Sequence, residues 1–176
     1  FADWGTLLGT IRHKGFVPWD DDMDITMKRE DYTRFCQIVR QEQGELEIIN
    51  FHTDPEWKDM LSRVINGRSV NYTEEHLRKY HGFPYVAGLD IFPLDYVAPT
   101  EEEDKLQCSM ISIVEAFSAN IRNNTATPEE IEQTTKDIEQ MCGVKFNNLE
   151  PLATQLLKLG ERLSMMYTDE ESQAVA

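Results

Sequence analysis

The chain has 176 residues, of which 40% are hydrophobic and 28% are charged. These proportions are typical of a soluble globular domain and exclude disorder as the main state. The formal net charge of -15, from 32 acidic and 17 basic residues, disfavours nucleic-acid binding through a basic face. Three cysteines without a close pair argue against a disulfide framework or a cysteine zinc site, and they fit a reducing compartment. No apolar run approaches the ~18 residues of a membrane span, so no integral membrane segment is expected.

A short helix is predicted at the start of the chain. Leu7, Leu8 and Ile11 can line one face of a helix over residues 5–12. Gly15 is placed to end this helix in a left-handed conformation, which glycine adopts at low cost.

An acidic turn leads into a predicted strand over residues 22–27, where polar and apolar residues alternate with period two. Residues two apart on a strand point to the same face. Asp22 and Asp24 are therefore expected to present their carboxylates side by side. Met23 and Ile25 are expected to enter the core.

The rest of the first half is predicted to continue as helix and strands. A helix over 31–42 is expected to stop at Gly44 and to bury one face, made of Tyr32, Phe35, Cys36 and Val39. The following strands are predicted over residues 46–51, 60–65, 70–72 and 86–94.

The second half is predicted to be helical. Thr100 and Thr127 each begin a capping-box pattern, and Pro128 takes the first helical position after the second. The predicted helices cover 101–122, 128–142 and 151–166, and the last has an apolar stripe of Leu152, Leu156, Leu159 and Leu163. We therefore expect an α/β (α+β) fold, a small mixed sheet flanked by helices, in residues 1–99. Residues 100–176 are expected to form a helical extension of the same domain.

A cluster of acids is the strongest functional signal. Four acids fall within five positions, at Asp20, Asp21, Asp22 and Asp24. Such crowding is costly unless a positive charge offsets it, and a divalent cation is the natural candidate. If the strand carrying Asp90 lies beside the first strand, Asp90 completes a trio able to hold two metals about 3.5–4 Å apart. Hard oxygen ligands favour Mg²⁺ or Mn²⁺.

Two other interpretations of these acids remain open. A run of aspartates is often only a solvated turn, although the strand pattern argues against that here. A calcium loop would also place acids at its positions one, three and five, but its sixth position would be Ile25 instead of glycine. Its twelfth position would be Asp31 instead of glutamate.

Phosphate-binding candidates precede the acids. Gly5-Thr6 and Gly9-Thr10 can offer backbone N–H groups and hydroxyls to an anion. Arg12 and Lys14 can neutralise a pyrophosphate, but they fit a solvated helix end equally well.

Residues 5–24 (GTLLGTIRHKGFVPWDDDMD) and 88–95 (GLDIFPLD) resemble the LicD family of the nucleotidyltransferase superfamily, whose eukaryotic relatives are the fukutin-related proteins. The resemblance implies a nucleotidyltransferase-like fold with Asp22, Asp24 and Asp90 as catalytic metal ligands. It implies further that Gly5 and Thr6 contact phosphate and that Arg63 is a basic residue of the phosphate-binding site. Asp20 is expected to assist without touching metal.

The resemblance also implies an activity. A CDP-linked donor such as CDP-choline would give its phospho-alcohol to a sugar hydroxyl of a cell-surface glycan such as lipopolysaccharide, teichoic acid or capsule. Membrane association would then be peripheral, through the acceptor. The alternatives are a nucleotidyltransferase that moves NMP to a small molecule or sugar, and a non-catalytic binding module.

The resemblance covers the chain to about Tyr96 and is weak beyond it. The family's N-terminal helix and its aromatic C-terminal stretch have no counterpart in the sequence, so both ends are expected to be truncated. The zinc insert of some animal relatives is also missing, which favours a bacterial, cytoplasmic protein.

Overall fold

The computed structural model describes residues 1–20, 22–42, 46–84, 88–172 and 174–176. Its helices are α1 (Trp4–Arg12), α2 (Arg29–Gln41), α3 (Glu74–Lys79), α4 (Glu101–Arg122), α5 (Pro128–Cys142) and α6 (Leu152–Ser164). Its strands are β1 (Met23–Lys28), β2 (Glu47–Ile49), β3 (Ser62–Ile65) and β4 (Gly88–Leu94).

The chain forms two compact units. The sheet unit comprises residues 1–50 and 61–94, and the helical unit comprises residues 51–60 and 95–176. The predicted α/β class is confirmed, since a mixed sheet with flanking helices precedes a run of helices.

The sheet has 4 strands in the order β1-β4-β3-β2. β1 and β4 are parallel, whereas β3 is antiparallel to both β4 and β2. The strand that carries Asp90 therefore lies directly beside the strand that carries Asp24, as the predicted carboxylate trio requires.

A hydrophobic core lies between α2 and one face of the sheet. Tyr32 and Cys36 of α2 pack with the strand residues Ile48, Val64 and Ile91, and Ile91 is fully buried. The predicted apolar face of α2 is confirmed, because Phe35 and Val39 pack against the same cluster. This packing leaves the other face of the sheet to the polar residues of β1, β3 and β4.

The helical unit has its own core. Its buried members are Val114 and Phe117 of α4, Ile138 of α5, and Leu156, Leu159 and Leu163 of α6. The bounds predicted for α4 and α5 are confirmed, and the capping box of Thr127 and Glu130 is formed. Within the described residues, no helix combines the length and apolar character needed to cross a membrane.

Three local predictions in the sheet unit are wrong. Met23 does not enter the core, since it is 40% exposed at the start of β1. Gly15 does not take the left-handed conformation, because α1 ends at Arg12 and Lys14 has the positive φ of 56°. Residues 70–72 form no strand and lead into α3, a short helix that hydrophobic periodicity did not reveal.

Two predictions cannot be compared with the structure. Gly44, the expected end of α2, and residues 86–87, the expected start of β4, lie outside the described residues. The described part of α2 ends at Gln41, and the described part of β4 begins at Gly88.

Candidate active site

Three aspartates converge on the polar face of the sheet. Asp22 directly precedes β1, Asp24 lies on β1, and Asp90 lies on β4. Each offers a carboxylate oxygen, and these oxygens all lie within 4.8 Å of one another. Asp24 and Asp90 are opposite each other in the parallel β1–β4 pair, which explains why their side chains share a face.

Arg63 extends this row to a third strand. It is opposite Asp90 in the antiparallel β3–β4 pair. Its Nε and Nη2 donate to Oδ1 and Oδ2 of Asp90, and Nη2 lies 3.6 Å from Oδ2 of Asp22. Arg63 therefore pairs with the acids themselves in this structure, although its predicted partner was phosphate.

The start of α1 holds Asp24 in place. The backbone N–H of Asp24 donates to the Thr6 hydroxyl at 2.8 Å, and the Gly5 N–H donates to the Asp24 carboxylate. Thr6 is buried, so its hydroxyl fixes the backbone of β1 at Asp24 from a position away from solvent. The structure thus gives this predicted phosphate-contacting pair a positioning role at Asp24.

The electrostatic environment of Asp24 is unfavourable to its negative charge. Burial raises the pKa of Asp24 above its ordinary value of 3.8, and three neighbouring carboxylates raise it further. These neighbours are Asp22, Asp90 and Asp20. The hydrogen bond from Gly5 opposes the shift, but the net direction is upward.

Asp20 lies against the first turn of α1. A Cβ atom on Gly5 would come within 2.3 Å of its Oδ2, so the carboxylate can keep this position only beside glycine. This Oδ2 is buried and has no hydrogen-bond partner among the described residues. Asp21, the remaining member of the acidic run, lies outside the described residues.

Gly9 and Thr10 are used within the fold. A Cβ atom on Gly9 would lie 2.6 Å from the carbonyl oxygen of Gly15 and 2.9 Å from the backbone nitrogen of Val17. Gly9 is thus packed against the loop after α1, and the Thr10 hydroxyl donates to the Thr6 carbonyl oxygen at 2.8 Å. Phosphate binding by this second pair stays a prediction that the geometry does not favour.

Arg12 and Lys14 are exposed at the end of α1. The Nε of Arg12 donates to Nδ1 of His13 at 3.5 Å, and the His13 ring contacts the exposed ring of Trp19 edge-on. These contacts do not join the two cations to the acidic cluster, so their role in phosphate binding stays a prediction.

Sequence reasoning missed two contacts that shape the site. The Thr6 bond to Asp24 and the Arg63 pair with Asp90 join residues 18 and 27 positions apart, respectively. Besides the resemblance, which made Arg63 a basic site residue, the available signal was an arginine and an aspartate of opposite charge on two predicted strands. That signal becomes informative only when the register of β3 and β4 is known.

Known proteins with similar sequences match only part of the chain. A lipopolysaccharide cholinephosphotransferase LicD of Haemophilus influenzae is 58% identical over 41 residues, which is 23% of this chain and 16% of that protein. An uncharacterized protein of Rickettsia typhi is 54% identical over 37 residues, which is 21% of this chain and 12% of that protein. No solved structure is significantly similar to the chain.

A family-wide comparison covers far more of the sequence. The family described as LicD/FKTN/FKRP, nucleotidyltransferase domain, matches residues 1–149. This match includes the whole sheet unit with its three converging aspartates and extends through α4 and α5. The chain therefore belongs to the LicD/FKTN/FKRP family of nucleotidyltransferase-domain proteins, as its motifs predicted.

Proposed function

We propose that the chain is the metal-binding part of a LicD-type phosphotransferase. The donor would be a CDP-linked alcohol such as CDP-choline, and the acceptor a sugar hydroxyl of a cell-surface glycan. The observation that carries the proposal is the convergence of Asp22, Asp24 and Asp90 within the family-matched region. The Haemophilus influenzae relative is a lipopolysaccharide cholinephosphotransferase by name, which supports phosphocholine as the transferred group and a glycan as the acceptor.

The carboxylate cluster fits one or two Mg²⁺ or Mn²⁺ ions. Three carboxylate oxygens within 4.8 Å of one another, at Asp22, Asp24 and Asp90, match the preference of these ions for hard oxygen ligands. The raised pKa of Asp24 supports this proposal, because burial and the neighbouring carboxylates leave its negative charge incompletely compensated. When bound, the cations would neutralise the charge that develops on the donor phosphates.

The residues around the cluster would orient the reaction. Thr6 and Gly5 fix the backbone and carboxylate of Asp24, so this ligand is already in place before the donor binds. Rigid placement of this kind contributes to catalysis because little reorganisation is needed in the transition state. The acceptor hydroxyl would release its proton to solvent, and its oxygen would bond to the phosphorus nearer the alcohol. The bond from that phosphorus to the CMP oxygen would break, so that CMP leaves.

Product analysis tests the proposed reaction. The protein would be incubated with Mn²⁺, lipopolysaccharide and CDP-choline labelled in the phosphocholine. We expect equal amounts of CMP release and glycan labelling, both lost in Asp24→Asn. The matched control is Asp137→Asn on α5, an exposed aspartate that accepts a hydrogen bond from Gln133 at 2.8 Å and should behave as wild type.

Other outcomes would favour a different function. Consumption of a nucleoside triphosphate with release of pyrophosphate would point to a nucleotidyltransferase. An unchanged Mn²⁺ affinity in both Asp22→Asn and Asp24→Asn would point to a binding module that does not use these acids.

A further inference from the structure

The Arg63 side chain contacts two of the three aspartates that are proposed to bind the metal ion, Asp90 and Asp22. Its guanidinium donates to both carboxylate oxygens of Asp90 and lies 3.6 Å from Oδ2 of Asp22. The Asp90 side chain is only 7% exposed, so there is little space for a second cation to reach its oxygens beside Arg63. Two of the three proposed metal ligands are therefore in contact with one resident cation.

The fold makes this pairing specific. Cross-strand register places Arg63 directly opposite Asp90, and the arginine stem lies over Gly88, whose Cβ position is 3.4 Å from Cδ and Nε of Arg63. The two-pronged geometry is one that arginine makes with a carboxylate and lysine cannot. By contrast, the pair of Arg68 with Glu47 in the same unit uses side chains that are 58% and 52% exposed.

Burial explains why the metal-free fold needs such a partner. A buried carboxylate left without a counter-charge is strongly destabilising. Asp90 is 5% exposed and lies beside two other acids, so without Arg63 its charge would be uncompensated in the absence of metal.

We infer that Arg63 and the divalent cation compete for Asp90, so that metal loads by displacing Arg63 from this carboxylate. A guanidinium and a divalent cation repel each other at the distance that two ligands of the same carboxylate would have. The displaced guanidinium keeps its positive charge at the rim of the cluster, since 36% of the Arg63 side chain is already exposed. It is then available to a donor phosphate, which deepens the proposed function on which this inference rests.

Metal affinity measured in variants shows whether Arg63 competes with the metal for Asp90 or favours metal binding. In Arg63→Gln we expect Mn²⁺ to bind about tenfold more tightly than in wild type, a change of ~1.4 kcal/mol. The thermal midpoint of the metal-free variant should fall, and the increase caused by saturating Mn²⁺ should be larger than in wild type. Arg68→Gln is the control and should change none of these three quantities. Equal or weaker Mn²⁺ binding by Arg63→Gln would overturn the inference.

A second measurement uses the wild-type protein and does not depend on the variant folding. The Nε–H resonance of Arg63, assigned by its absence from the Arg63→Lys spectrum, should shift during a Mg²⁺ titration with the midpoint of Mg²⁺ binding. An unmoved resonance would overturn the exchange. Mn²⁺ binding that Asp24→Asn removes and Arg63→Gln leaves unchanged would overturn the exchange but not the proposed function. Absence of Mn²⁺ binding in both wild type and Arg63→Gln would overturn both.

Discussion

The sheet unit and the helical unit contain carboxylates whose pKa values are shifted in opposite directions. The sheet unit gathers Asp22, Asp24 and Asp90 on one face, and this crowding together with burial raises the pKa of Asp24. In the helical unit, hydrogen-bond partners instead lower the pKa of several glutamates. Its glutamates with a lowered pKa include Glu130 bonded to Thr127, Glu132 bonded to Lys136, and Glu139 bonded to Lys145 and the Phe146 N–H.

This difference indicates where the fold is shaped by stability and where by function. Dispersed, exposed pairs on helices are stabilising by small amounts, while the apolar core of α4, α5 and α6 supplies most of the stability of the helical unit. Crowded carboxylates are destabilising unless a positive charge compensates them, and the proposed metal would supply that charge. Neutralising Asp24 and neutralising Glu130 should therefore change the thermal stability of the metal-free protein in opposite directions.

The largest expected effect is on activity in Asp24→Asn. The asparagine keeps an oxygen for the Gly5 N–H but removes a metal ligand, so the proposed transfer should fall about a thousandfold. The metal-free thermal midpoint should rise, because one of several repelling charges is gone. Transfer assays and thermal unfolding would measure the two quantities. If Asp24→Asn lowered the thermal midpoint and kept the activity, the acids of the sheet unit would not differ from those of the helical unit in their effect on stability.

The helical unit was predictable from local signals. Thr127, Pro128 and Glu130 mark the start of α5, and Gly143, with φ 64°, ends it, so its bounds follow from sequence neighbours alone. The stripe of Leu156, Leu159 and Leu163 likewise predicted the buried face of α6.

The sheet unit was predictable only in part, because its site depends on register. The period-two pattern placed Asp22 and Asp24 together, but only the observed pairing of β1 with β4 brings Asp90 beside them. No local pattern shows that Thr6 braces Asp24 across 18 positions. The strand predicted at 70–72 was wrong because three residues are too few for periodicity to distinguish a strand from a loop.

The next largest effect should come from the core of the helical unit. Leu156 is fully buried among the apolar residues of α4, α5 and α6. Leu156→Ala should lower the free energy of unfolding by about 2–5 kcal/mol through lost burial and a cavity. Urea unfolding would measure this. Leu149→Ala is the control, since Leu149 is 92% exposed and should cost less than about 0.5 kcal/mol.

A smaller effect should separate the two glycines of α1. In Gly9→Ala the new methyl group would meet the Gly15 carbonyl oxygen at 2.6 Å, and backbone must move, costing about 1–3 kcal/mol. In Gly5→Ala it would meet the end of the Asp20 side chain, which can rotate away, so stability should change less. Urea unfolding of both variants would measure the difference. Equal losses would mean that Asp20 is held as firmly as backbone.

The smallest effect should be a change in pH dependence at the capping box of α5. Hydrogen bonds from the backbone N–H and the hydroxyl of Thr127 lower the pKa of Glu130 below its ordinary value of 4.5. A carboxyl whose pKa is lowered by folding stabilises the protein above its unfolded pKa, and this contribution is lost as pH falls through the folded pKa. Glu130→Gln keeps an oxygen for the Thr127 N–H but cannot ionise. Near neutral pH the variant should therefore unfold at a lower temperature than wild type. In acid the two proteins should unfold at similar temperatures. Thermal unfolding between about pH 3 and pH 7 would measure this convergence. A constant gap across that range would show that the paired charge does not stabilise α5, and the contrast with the crowded acids of the sheet unit would then depend on Asp24 alone.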